Sequence, residues 1–157
     1  MIELTTDVDF IVRCITHPYV WGNISDDGAP PMDLYFPPVN ESVLWIRAGE
    51  YGVFALHKHN YVTYEAHTIL LPHAKGLAVN IGVDALKWVF ENTPAKRVVT
   101  NVPSFNHLAL RLALRVGFKK IGINERSFCK NGVLYDQTFL GISKGDEVII
   151  PTLTMAA

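Results

Sequence analysis

Residues Tyr61–Asn92 read YVTYEAHTILLPHAKGLAVNIGVDALKWVFEN, and the fold turns on the join within them. A β-rich run, Tyr61–Leu71, stops at Pro72, which cannot donate to a strand ladder. The loop His73-Ala74-Lys75-Gly76-Leu77-Ala78 opens into a helix over about 75–91. In that helix Asn80, Asp84, Lys87 and Glu91 make one narrow polar stripe. The other sides carry Leu77, Val79, Ile81, Val83, Leu86, Trp88, Val89 and Phe90, so the helix is buried on most sides, as it is on a sheet. Asn92-Thr93-Pro94 ends it. A strand, a glycine-containing loop and a helix N-terminus gather unpaired N–H groups and a positive dipole end at one spot. That arrangement holds a phosphate in some folds and is a plain connection in more.

Upstream, Ser42–Arg47 (SVLWIR) and Tyr51–His57 (YGVFALH) are also β-rich, with short turns at Ala48-Gly49-Glu50 and Lys58-His59-Asn60. Short turns between apolar runs predict an antiparallel meander of three strands ending in Tyr61–Leu71. His57-x-His59 lies at a turn with no third ligand at a clear spacing, so no metal is expected. Before the meander, Asn23–Asn40 is a long loop by its Gly, Pro, Asp and Asn content. Its Met32, Leu34, Tyr35 and Phe36 predict a segment that packs on the core or walls a substrate site. Thr6 can cap a first helix over 7–16, with Val8, Ile11, Val12 and Ile15 on one face, and Pro18 can open a short second helix to Trp21.

Downstream, Lys96–Val102 is a short buried strand, expected parallel to Tyr61–Leu71 because a helix connects them. A further helix starts at Pro103-Ser104-Phe105-Asn106, runs to Val116 and is closed by Gly117. Its polar stripe is His107, Arg111 and Arg115. Strands follow at Phe118–Ile123, from Arg126 to Lys130, and at Leu134–Ile142, the last two joined by an Asn131-Gly132 turn. EVIIPTL, 147–153, is expected as an edge strand before a frayed TMAA end. The order predicts an α/β (α+β) chain, one domain over 1–157, with a single mixed, mostly antiparallel sheet and helices on both faces.

At 157 residues, 49% hydrophobic and 18% charged, the chain supports a packed core. A net charge of −1 removes any electrostatic ground for a nucleic-acid partner. No apolar run approaches the ~18 residues of a membrane span. The start, MIELTTDVDF, lacks a signal pattern, and Cys14 and Cys129 match no metal spacing. Two buried thiols in the cytoplasm are expected. An edge strand near 134–150 gives a way for two copies to form a homodimer.

The order of elements, with three motifs, resembles the Gcn5-related N-acetyltransferase (GNAT) family over about residues 6–143. The family's pyrophosphate loop, Gln/Arg-x-x-Gly-x-Gly/Ala, is matched by His73-Ala74-Lys75-Gly76-Leu77-Ala78, with histidine leading. An Asn, an Ala three residues on, and a helix ending in Gly-Phe are matched by Asn106, Ala109 and Gly117-Phe118 in NHLALRLALRVGFKKIG. The strand in NGVLYDQTFLGIS resembles the subgroup that acetylates ribosomal-protein N-termini. TNVPSFNHLALRLALRVGF also resembles small acetyltransferase-like proteins of bacteriophages.

The resemblance implies an acetyl-CoA-dependent N-acetyltransferase acting on an amine of a protein or small molecule, without a metal. It implies a pyrophosphate held by His73, Ala74, Lys75, Gly76, Leu77 and Ala78. The pantetheine arm would pair with the backbone of Ile69, Leu70 and Leu71, and Asn101 and Asn106 would hydrogen-bond on the cofactor side. Glu65, on one strand face with His67, Ile69 and Leu71, is the first candidate for the base that takes the amine's proton, and His67 the second. Ala113 stands where many members carry the tyrosine that protonates the leaving thiolate. Tyr135 and Ser127 are the other candidate acids, and Cys129 a remote candidate nucleophile. The acceptor would be selected by 23–40 and 124–133. The alternative implied by Ala113 and His73 is a non-catalytic binder of the same fold, of viral origin and directed at a host partner.

Overall fold

The computed structural model describes residues 1–148. Its strands are β1 (Ile2–Leu4), β2 (Val43–Ala48), β3 (Gly52–Lys58), β4 (Thr63–Leu70), β5 (Arg97–Pro103), β6 (Lys119–Lys130) and β7 (Val133–Ser143). Its helices are α1 (Val8–Ile15), α2 (Pro18–Ile24), α3 (Ala78–Asn92) and α4 (His107–Val116), with single 3₁₀ turns at Met32–Leu34 and Pro72–Ala74. The strands form one sheet in the order β1-β2-β3-β4-β5-β7-β6. The β4–β5 pairing is parallel and the other pairings are antiparallel.

The expected meander is present as β2, β3 and β4, in continuous register from Val43↔His57 to Gly52↔Leu70. β4 begins at Thr63 rather than Tyr61, because Asn60 Oδ1 accepts the N–H groups of Val62 and Thr63 and holds them in the turn. The Asn131-Gly132 turn carries the two positive φ values, 53° and 73°, that a tight hairpin needs. Gly117 ends α4 in the left-handed conformation at φ 117°.

The two faces of the sheet bury different helices. On one, Phe10 and Ile11 of α1 and Val20 of α2 pack on Val43, Trp45, Val53 and Ile69. On the other, α3 and α4 cover Ile46, Phe54, Leu56, Val98, Leu140 and Ile142. Odd-numbered residues of β4 therefore face α1 and α2, and even-numbered ones face α3 and α4.

Several expectations are corrected. β1 adds a strand beside β2 that precedes the first helix. The cap of α1 is Asp7, whose Oδ1 accepts the Phe10 N–H at 3.0 Å, rather than Thr6. α2 extends to Ile24, beyond Trp21. α3 starts at Ala78 rather than Lys75, since the Pro72–Ala74 turn and Gly76, at φ 88°, hold the loop out of helix. β7, expected as an edge, lies between β5 and β6, and among the described residues the edge strands are β1 and β6. β6 is one long strand with irregular register between Lys120 and Phe128, where two pieces were expected. Cys14 is buried but Cys129 is only partly so. The strand expected at 147–153 extends outside the described residues. No helix of the described residues is long and apolar enough to cross a membrane.

Candidate active site

The parallel pairing of β4 with β5 covers only Thr63↔Arg97, Tyr64↔Val98 and Glu65↔Val99. Beyond it Thr100 Oγ1 donates to Ala66 O at 3.0 Å, and then the strands part. Backbone direction alternates along a strand. The Leu71 N–H donates to Tyr51 O on the β3 side at 2.8 Å, so the groups of Ile69 also face β3, while those of Thr68 and Leu70 face the gap.

The gap opens into a cavity of about 490 Å³ that is lined by α3 and α4 on one face of the sheet and reaches through the gap to α2 on the other. The loop after β4 forms one end of it. There the N–H groups of Gly76, Ala78, Val79 and Asn80 have no acceptor among the described residues. The helix they open has no side-chain cap. Four free donors and the positive end of a 15-residue helix make a cradle for an anion. Lys75 from the loop and Arg111 and Arg115 from α4 border the same cavity.

The residues expected at the site divide into two groups. His67, Leu70, Leu71, Ala74, Lys75, Gly76, Ala78, Asn101 and Asn106 border the cavity, and Glu65, Ile69, His73 and Leu77 do not. Ile69 is buried against α1 and α2 on the opposite face. The His73 ring turns back to donate from Nε2 to Glu50 O at 2.8 Å and packs on Tyr51, so it anchors the loop rather than facing the cradle. Leu77 is exposed at the start of α3. Asn106 caps α4, its Oδ1 accepting the Ala109 N–H at 3.2 Å. Asn101 has no side-chain partner among the described residues.

Glu65 lies under a cluster of histidines. Its Oε1 accepts from His59 Nε2 at 2.9 Å, and His67 Nε2 is 3.0 Å from its Oε2. Its side chain is 18% exposed and that of His67 is 45% exposed. The His67 ring, ahead of the opposing effect of burial, holds the Glu65 carboxyl below its usual pKa, so Glu65 is a carboxylate and a weakened base. His57 meets the His67 ring edge-on at 5.1 Å, and burial pushes its pKa down. No group of three metal-ligating side chains is set for a metal among the described residues.

The other candidates lie outside the cavity wall. Tyr135 meets Phe105 edge-on with ring centroids 4.9 Å apart, Ser127 donates to Asn124 O, and the Cys129 thiol points at Asp27. Ala113 borders the cavity and contributes only a methyl group. Asn23 and Phe128 fall in the segments 23–40 and 124–133 expected on the acceptor side, while sequence reasoning missed Tyr19 and Gln137 as wall residues and read Arg111 and Arg115 only as a polar stripe. Their spacing of four on a helix whose apolar face is buried was the available signal.

No protein-family model and no curated protein sequence matches the chain. Among solved structures it is similar to spermidine N-acetyltransferase from Vibrio cholerae in complex with CoA and spermine, at 17% identity and a TM-score of 0.75. That match covers 93% of this chain and 96% of the other. A GNAT-family acetyltransferase from Bacillus anthracis is similar at 20% identity and TM-score 0.56, over 65% of this chain and 66% of that one. The microcin C7 self-immunity acetyltransferase MccE, in complex with acetyl-CoA and AMP, is similar at 24% identity and TM-score 0.54, over 64% and 59%. At these identities the likeness establishes the fold.

Proposed function

We propose that this chain, which has the fold of the GNAT acetyltransferases, is an acetyl-CoA-dependent N-acetyltransferase. One observation carries the reading: the free N–H groups of Gly76, Ala78 and Val79 and the parted strands β4 and β5 border one cavity. The chemistry fits the group. The N–H cradle suits a pyrophosphate, with Lys75, Arg111 and Arg115 adding charge. The backbone of Thr68 and Leu70 suits an amide-rich arm laid along the gap, and the Asn101 amide can meet it.

Acetyl-CoA, when bound, supplies an acetyl group activated as a thioester. The chain's part is to hold it, to orient the amine, and to take a proton from that amine. We assign the proton to His67 and orientation of the ring to Glu65. The support is that His67 borders the cavity, while Glu65 is outside it and engaged by two rings. With Nε2 at the carboxylate, Nδ1 is left without a partner among the described residues and can accept the proton. The departing thiolate, of pKa about 8.5, leaves without a strong acid, and Tyr19 is a phenol in the cavity wall.

The acceptor is an amine, and the spermine bound to the Vibrio cholerae neighbour makes polyamines the first to try. We infer action in the cytoplasm, a compartment that supplies acetyl-CoA. A second reading, a non-catalytic binder, is favoured by Ala113 in the cavity wall. The deciding experiment mixes the chain with acetyl-CoA and, in turn, spermine, benzylamine and a peptide with a free N-terminal serine, and follows CoA thiol release. Release that depends on amine supports the enzyme. Binding of acetyl-CoA without release with any amine supports the binder.

A further inference from the structure

Asp27 lies in the loop after α2 and holds the tip of the β6–β7 hairpin. Its Oδ1 accepts the Asn131 N–H at 2.7 Å and its Oδ2 accepts the Gly132 N–H at 2.9 Å. The Cys129 thiol donates to Oδ2 at 3.4 Å, and the Asp27 N–H donates to Cys129 O at 2.9 Å. Next to this, Lys130 Nζ donates to Ser25 O at 2.7 Å. Two segments about a hundred residues apart in sequence are thus joined by one carboxylate and its neighbours. The Gly132 and Asn131 N–H groups hold the Asp27 carboxyl below its usual pKa, so the join is ionised at neutral pH.

What it joins also borders the cavity, through elements other than those of the cradle. Tyr19, Asn23 and Ile24 of α2 form one wall, and Phe128 of β6 forms another. Phe128 stacks edge-on against Phe105 at 5.6 Å, and the Lys130 ammonium sits 5.9 Å from the same ring. The hairpin tip has its own reason to need an anchor. Arg126, two residues before Phe128, has a positive φ of 50°, and the register of β6 is broken between Asn124 and Phe128. A bulged, twisted strand does not by itself fix the distance to a separate helix.

We infer that Asp27 is a positioning residue for the acceptor. It clips the loop after α2 to the hairpin and so sets the width between α2 and Phe128 through which the amine reaches His67. The inference rests on the proposed acetyltransferase reading. The clip acts on the amine side only, because the cradle at Gly76–Asn80 is built from other elements and receives no bond from it.

The test compares the wild type with Asp27→Ala and Asp27→Asn, using acetyl-CoA and whichever of spermine, benzylamine and the serine peptide the wild type turns over. Hydrogen exchange is measured on the amides of 25–29 and 129–132. In Asp27→Ala, exchange at Asn131 and Gly132 rises at least tenfold. KM for the amine rises at least fivefold, while KM for acetyl-CoA and kcat stay within twofold. Asp27→Asn, which keeps one acceptor oxygen, falls between. An unchanged amine KM beside faster exchange overturns the positioning role, and unchanged exchange overturns the clip. If kcat and both KM values worsen together with a lost thermal transition, the role is general stability and the inference fails. No turnover by the wild type with any amine overturns the enzyme reading and the inference with it.

Discussion

Glu65 Oε2 and His67 Nε2 lie 3.0 Å apart, and of the two residues only His67 borders the cavity. On the proposed reading the carboxylate acts on the reaction through the ring. Replacing His67 by Gln is expected to lower kcat by on the order of 10²-fold or more, the usual contribution of a positioned base. Glu65→Gln leaves the ring in place without its charged anchor and is expected to cost less than the His67 change. Steady-state kinetics on both variants checks the order, and a larger loss for Glu65→Gln would return the base to the carboxylate.

The same cluster makes stability depend on pH in two windows. Burial, ahead of the neighbouring His67, lowers the His57 pKa from 6.5. The unfolded chain therefore binds more protons there than the folded one just below pH 6.5, so stability falls as pH drops through that region. The Glu65 carboxyl is depressed from 4.5 by His67 and then His59, against burial. Its contribution is present above 4.5 and is lost as pH falls below that value through its folded pKa. Urea unfolding between pH 8 and pH 3 should show both declines. His57→Gln should flatten the upper one and leave the lower.

A further prediction concerns the contact between α3 and α4. A Cβ at Gly82 would lie 2.7 Å from Val116 Cγ2. Gly82→Ala gains about 1 kcal/mol of helix propensity and meets an overpacking cost of roughly 1–3 kcal/mol. The single variant is expected to be destabilised. In a Val116→Ala background the same change should be neutral or stabilising, which a double-mutant cycle by chemical unfolding reads directly.

Gly76 tests the cradle. Its φ is 88° and a Cβ there would meet nothing within 4 Å, so Gly76→Ala strains the backbone without a clash. A cost of roughly 1–2 kcal/mol is expected. For a chain of this size each kcal/mol lowers Tm by about 2–4 °C. If the loop holds a pyrophosphate, affinity for CoA should fall by more than the strain alone explains, measured by calorimetry beside the melting curve.

Much of this architecture is written locally. The three runs Ser42–Arg47, Tyr51–His57 and Tyr61–Leu71 alternate or stay apolar between short polar turns, and they became β2, β3 and β4. Asn131-Gly132 and Gly117 state their own backbone conformations, and both adopt them. The misses are tertiary. β1 is three residues long and gains its stability from pairing with β2, which no local pattern encodes. β7 inserts between β5 and β6, a choice of neighbour rather than of propensity. The site was legible as far as a strand face goes: alternation put Glu65 and His67 together. It could not show that His59 folds back from the turn onto Oε1, that His73 turns toward Glu50, or that Asp27 reaches the hairpin.

The central claim is that the cavity between β4, β5 and the start of α3 holds acetyl-CoA. Isothermal titration of acetyl-CoA into the purified chain tests it most directly. The account predicts saturable binding of one molecule per chain, weakened by Gly76→Ala and unaffected by Asp27→Ala. Absence of heat and of thermal stabilisation at millimolar acetyl-CoA would contradict it.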